Sequence, residues 1–212
     1  MRARLFAVAL VATVALATAV GAASAGRFSL SDQTFRAVWA PISFTTGGVT
    51  VTCNLTLEGS YHSRTFAKVI NALIGYVTRV RVARPCTNGT LWAYNGSEVN
   101  EALGGTLANS LPWHITYKAF AGRLPSINQM RILLMGVRFL ARIGGVLCNF
   151  ASTGEGMDLL INMTIGRVTS VSAEPTPSLA QEGGLCFEVG RFSGNGSYTV
   201  LNTTTGITVT LI

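Results

Sequence analysis

The chain reads as all-β: an antiparallel β-sandwich forming one disulfide-bonded domain behind a signal peptide. The first 25 residues have the form of a secretory signal. Most of the remaining chain alternates apolar and polar residues with period two between glycine-rich turns. Four cysteines, an even number, lie in the exported part, where disulfides persist.

The signal comes first. Met1 to Arg4 supplies a positive start, Leu5 to Val20 is apolar or small throughout, and Ala23-Ser24-Ala25 offers a small-residue cleavage site before Gly26. The apolar run is shorter than the roughly 20 residues that span a bilayer, so cleavage is expected, not retention as an anchor. The boundaries are therefore 1–25 for the signal and 26–212 for the β domain. No later stretch has the length and uniform apolarity of a membrane helix, so no transmembrane segment is expected after cleavage. The expected location is secreted or cell-envelope. The formal charge of +7 over 212 residues falls to +5 when Arg2 and Arg4 leave with the signal, which is mildly basic and not polycationic. Only Lys68 and Lys118 are lysines, and the chain is rich in Ala, Gly and Val, the usage of a GC-rich bacterial genome.

Gly47-Gly48 introduces Val49 to Leu57, in which Val49, Val51, Cys53, Leu55 and Leu57 share one face and threonines and Asn54 the other. From Tyr76 to Val82 the alternation places Tyr76, Thr78, Val80 and Val82 on one face and Val77, Arg79 and Arg81 on the opposite one. Phe66, Val69, Ile70 and Leu73 have helical spacing, but Gly75 comes at once, so the stretch reads as one helical turn or a loop. Residues 126–142 admit helix or strand; Ser126 suits a cap, yet Gly136 interrupts Met130 to Leu140, which reads as strand. Gly196 to Leu201 and Ile207 to Ile212, joined by Asn202-Thr-Thr-Thr-Gly206, read as a closing hairpin. A small outer-membrane barrel is the structural rival. It fits poorly, because aromatic content is 8%, no girdle is periodic, and cysteines face the core.

Cys53, Cys86, Cys148 and Cys186 allow three disulfide pairings. A self-comparison favours one of them. Cys53-Asn54, then Ile74-Gly75-x-Val77-Thr78-x-Val80, then Cys86 matches Cys148-Asn149, then Ile165-Gly166-x-Val168-Thr169-x-Val171, then Cys186. If residues of about 49–90 and 144–190 are copies of one unit, each closes its own loop, Cys53 with Cys86 and Cys148 with Cys186. The other possibility is ordinary strand sequence recurring by chance.

Nothing in the residues amounts to a catalytic, metal or cofactor motif. Zinc is not expected without a C-x-x-C pair and with only His62 and His114 as histidines. No G-x-S-x-G elbow activates a serine. Glu98 with Glu101, and Glu155 with Asp158, are the nearest carboxylate pairs; both read as solvated turns, and Gly154 to Asp158 lacks the acidic density of a calcium loop. In Leu111-Pro112-Trp113-His114, Trp113 and His114 are weak ligand-contact candidates, a stacking ring beside a hydrogen-bonding one; the plainer reading starts a strand, with Trp in the core and His in solvent. Six N-x-S/T sequons stand at Asn54, Asn88, Asn95, Asn162, Asn195 and Asn202. Arg79, Arg81 and Arg84 form a basic edge suited to an anionic wall polymer, or simply to discouraging edge aggregation. Without interleaved aromatic residues, no nucleic-acid partner is expected.

Phe35 to Leu57, Ile74 to Thr78, Leu111 to His114 and Gly206 to Ile212 together resemble a family of uncharacterised exported all-β proteins of actinobacteria. That resemblance implies strands throughout, including Met130 to Leu140, and brings no activity. The Cys53 region and Leu111-Pro112-Trp113 are also faintly similar to secreted alkane-oxidation activator proteins. The expectation is an exported non-catalytic protein with a binding, envelope-associated or structural role, whose partner is an envelope polymer or another exported protein. A β-sandwich hydrolase acting on extracellular glycans is the alternative.

Overall fold

The computed structural model describes residues 26–98, 109–123, 126–152, 156–175, 179–182, 186–187 and 189–212. The expected signal segment, Glu101 and Glu155 lie outside them. Among the described residues fifteen strands are formed: β1 (Arg27–Leu30), β2 (Thr34–Thr46), β3 (Val49–Tyr61), β4 (Thr65–Ala67), β5 (Leu73–Thr87), β6 (Thr90–Ala93), β7 (Trp113–Arg123), β8 (Ser126–Met135), β9 (Arg138–Ile143), β10 (Val146–Ser152), β11 (Met157–Thr164), β12 (Arg167–Ala173), β13 (Leu179–Gln181), β14 (Val189–Val200) and β15 (Val209–Leu211).

They make two antiparallel sheets around one core, which is the coarser form of the sandwich expectation. One sheet has three strands in the order β15-β1-β4, the other twelve. Within the larger, β2, β3, β5, β7, β8, β11, β12 and β14 each pair with the next, and β14 pairs with both β12 and β2, so the pairing returns on itself. The long strands β2, β3, β5 and β14 also extend beyond this ring. There β13, β10, β9 and β6 continue the sheet from the first residues of β14. The reason is length: strands of 12 to 15 residues outrun their 7- to 11-residue neighbours and leave edges for a second set.

Alternation fills the interior. Trp39, Phe44, Leu55, Ile115, Phe139, Phe150, Ile161 and Val171 are fully buried and belong to one cluster, to which the small sheet adds Phe28, Leu30, Phe66 and Val209. Phe28 meets Phe66, Tyr117 and Phe120 at ring-centroid distances of 5.5 to 5.8 Å, seating the small sheet on the large one. The two disulfides join Cys53 to Cys86 and Cys148 to Cys186.

Three local expectations change, and the strand reading of residues 126–142 holds. In β5 a bulge at Thr78 shifts the alternation: Glu58 pairs with Arg79 but Gly59 with Val77. Val77 is therefore buried with Val80 and Val82, while Tyr76 and Thr78 join Arg79 and Arg81 outside. The Phe66 to Leu73 stretch is a loop only over 68–72; Phe66 belongs to β4 and Leu73 to β5. Residues 126–142 are strand on both sides of Gly136, whose φ of 78° separates β8 from β9. The closing hairpin does not form. β14 pairs with β2 along one side and with β12 and β13 on the other up to Gly196, and β15 pairs with β1 instead. The two copies of the I-G-x-V-T-x-V string occupy unlike settings, Ile74 buried inside β5 and Ile165 89% exposed in the β11–β12 turn.

Candidate binding face

The outward residues of β14, β2, β3 and β5 stand in register. Thr199, Arg36, Glu58 and Arg79 form one row across the four strands; Ser197, Val38, Thr56 and Arg81 form the next. A cleft of about 260 Å³ opens among Arg36, Val38, Thr56, Glu58, Arg79 and Arg81. Glu58 sits at its base, its side chain 12% exposed, and accepts from Arg36 Nε at 2.7 Å and Arg79 Nη1 at 3.3 Å. Arg81 has no ion-pair partner among the described residues. Three guanidiniums thus surround one carboxylate, leaving two excess positive charges and most guanidinium N–H groups unspent.

Arg79 and Arg81 also wall a second cleft of about 410 Å³, shared with Thr78, Asn95, Ser97, Glu98 and Leu111. Glu98 is fixed by backbone donors: Oε1 accepts from Val82 N–H at 3.1 Å and Oε2 from Ala93 N–H at 3.3 Å. Burial pushes its carboxyl above the usual range, against the pull of those N–H groups and of Arg84. The expected solvated turn around Glu98 is therefore a tied, half-buried carboxylate. A third cleft of about 400 Å³ lies between the end of β5 and β6, lined by Arg84, Pro85, Cys86, Gly89, Thr90, Trp92 and Arg142. The Arg142 guanidinium lies 5.3 Å from the Trp92 ring centroid.

The other sequence candidates fall elsewhere. Trp113 is fully buried, donates from Nε1 to Ser110 Oγ at 2.8 Å and packs on Phe139, so it presents no ring to a ligand. His114 is exposed and tilts against Tyr76 at 5.2 Å, and His62 meets the same ring at 4.7 Å. The two histidines thus flank Tyr76 one register step from the Glu58–Arg79 pair, with no carboxylate of the expected pairs among them. Asp158 is not in a turn: it lies within β11, 2% exposed, paired with Lys118 at 3.0 Å and with Arg131 at 3.7 Å. Among the described residues no group of three or more His, Cys, Asp or Glu is placed to hold a metal. Four sequon asparagines are engaged by their neighbours: Asn88 donates to Thr50 O, Asn95 to Val80 O, Asn162 to Ser170 and Ser172, and Asn195 accepts from Ser172.

The sequence showed Arg79, Arg81 and Arg84 as one edge but not Arg36, which reaches Glu58 and Arg79 only through strand pairing, nor Arg142, which meets Arg84 in the third cleft. The sole signal for Arg36 was its outward phase in β2. No family model, no curated protein and no solved structure matches the chain.

Proposed function

We propose that this is an exported, non-catalytic β domain, sandwich-like in its layering, that binds an anionic polymer of the cell envelope through the cleft of Arg36, Arg79 and Arg81. One observation carries the reading: three guanidiniums set around a single buried carboxylate on a rigid four-strand face. Glu58 orients Arg36 and Arg79 and leaves their other donors facing solvent, an arrangement suited to bidentate contact with phosphate or carboxylate. Export is supported by the N-terminal pattern of residues 1–25 and by the resemblance to exported actinobacterial proteins. Among the described residues no helix is long and apolar enough to cross a membrane.

Hydrolysis of glycans asks for two converging, available carboxylates. Glu58 is committed to two arginines and Glu98 to two backbone N–H groups, which favours binding over catalysis. The test is co-sedimentation of residues 26–212 with bacterial cell walls before and after extraction of their anionic polymers. Binding is expected to fall on extraction, with rising salt, and by roughly 10-fold in the double variant R79A/R81A. Retention of binding by that variant at unchanged strength would overturn the assignment.

A further inference from the structure

On β3 the outward positions follow one another as Thr56, Glu58 and Ser60, and His62 continues the same phase just past the strand end; Leu57, Gly59 and Tyr61 between them are buried. Glu58, the base of the first cleft, and His62 therefore share one face, about 13 Å apart along the chain direction. Across the sheet, Tyr76 of β5 pairs with Ser60 on one side and with His114 of β7 on the other. The bulge at Thr78 turns Tyr76 to the side that Arg79 and Arg81 occupy. Three rings meet there: His62 lies 4.7 Å from Tyr76 with the planes at 81°, and His114 lies 5.2 Å from it with the planes at 59°. Both histidines are exposed, and Tyr76 is half-buried between them.

We infer that the anionic polymer is a glycan, a chain of sugar rings bearing carboxylate or phosphate groups. A sugar packs on His62, Tyr76 and His114 while an acidic group enters the cleft of Arg36, Arg79 and Arg81. This rests on the binding role proposed above and adds the chemistry of the repeating unit. A polymer of acidic groups on a plain flexible backbone would use the guanidiniums alone and leave the rings idle. The ring group offers what a sugar needs: carbon edges for its apolar face, and imidazole nitrogens with the Tyr76, Ser60 and Thr78 hydroxyls for its own hydroxyls. Because each ring leans on its neighbour, little side-chain freedom is lost when the ligand arrives. Nucleic acid also combines rings with charge, but successive bases stack on aromatic faces set in series. Planes turned by 59° and 81° from one ring to the next form no such series. His114 then keeps the ligand contact suggested for it in the sequence, with Tyr76 in place of the buried Trp113.

The experiment titrates residues 26–212 with two pairs of polymers of matched length at fixed salt. Polygalacturonate, a carboxylate on every sugar, is set against polyglutamate, and phosphorylated dextran against inorganic polyphosphate. In one pair at least, the ringed member is expected to bind about 10-fold more tightly than the ringless one; the pair that shows the preference assigns carboxylate or phosphate. H62A/H114A should weaken the ringed probe about five-fold and leave the ringless one unchanged. Tyr76→Ala should do the same and Tyr76→Phe should retain the preference, with the thermal midpoint of each variant measured to establish that it is folded. Equal affinity within both pairs, an H62A/H114A variant that is inert or weakens both members alike, or tighter binding of a single-stranded oligonucleotide of equal charge would overturn the glycan assignment. In those cases the arginine cleft still stands if R79A/R81A weakens the ringless probes; if that variant is inert with every probe, the binding role itself fails.

Discussion

Asn95 and Glu98 complete with their side chains a ladder that no strand among the described residues completes. β5 pairs with β7 only from Leu73 to Val77. Beyond that point Val80 O accepts from Asn95 Nδ2 at 2.8 Å and Val82 N–H donates to Glu98, so two side chains stand in for the missing neighbour. Glu98→Ala leaves the Val82 and Ala93 N–H groups without acceptors and should cost about 1–3 kcal/mol in denaturant unfolding. The pH dependence has a definite sign. Because the folded carboxyl is raised above its ordinary 4.5, mainly by burial, its contribution is full below that pH and declines as pH rises through the folded value. Glu98→Gln keeps an acceptor and cannot ionise, so its stability relative to wild type should improve over that interval. A constant difference between the two proteins from pH 4 to pH 7 would contradict the raised carboxyl. The Tyr61 and Tyr198 hydroxyls, 2.7 Å apart inside the core, give the alkaline counterpart. Burial pushes Tyr61 up to about 12 and Tyr198 well above 10. Their neutral pair contributes stability that is complete below pH 10 and lost as pH rises toward 12. The double variant Y61F/Y198F, which leaves no orphan hydroxyl, should lose that alkaline transition, measured by circular dichroism against pH.

Elements show where local pattern suffices and where it fails. Period-two alternation located β3 and β5 because half of each strand is buried, and Gly136 marked the break between β8 and β9 because few other residues tolerate its backbone angle. The bulge at Thr78 was not legible: it depends on pairing with β3, where Gly59 of β3 and Gly75 of β5 let the two strands approach. A methyl group on Gly75 would stand 2.5 Å from Ser60 O, and one on Gly59 2.1 Å from Tyr76 O. Both contacts are with backbone, which cannot turn aside. Gly75→Ala is accordingly expected to destabilise by about 1–3 kcal/mol, as overpacking does, with the thermal midpoint as the measurement. The last strand makes the same point about partners. Its sequence suggests a hairpin with β14, yet β14 pairs with β2, β12 and β13, and β15 completes the small sheet through Val209 and Leu211. Deleting residues 208–212 removes buried Val209 and the Thr208 N–H bond to Ser31 Oγ at 2.9 Å. It should lower stability by about 2–4 kcal/mol.

For the whole molecule, composition and alternation sufficed for class, and pairing between distant residues decided the rest. A face can be read from one strand; a neighbour cannot, since β14 meets β2 across about 150 positions of sequence and nothing local distinguishes that partner from any other. The candidate face was half legible for the same reason: Arg79 and Arg81 lie on one strand, whereas Arg36 arrives from β2. The disulfides were legible to the extent that two C-N strings marked them. Each closes a loop, with sequence separations of 33 and 38, and the two bridges tie different pairs of segments: β3 to the end of β5, and β10 to the loop before β14. Restricting the unfolded chain through loops of this size contributes about 3–4 kcal/mol per bridge, which for a domain of this length corresponds to about 10 °C in melting temperature. C53S/C86S and C148S/C186S should therefore each melt about 10 °C below wild type. Because the bridges constrain separate, non-overlapping loops, the fourfold variant should show nearly the sum of the two losses. A fourfold variant no less stable than either pair alone would mean that the two bridges restrain the same part of the unfolded chain.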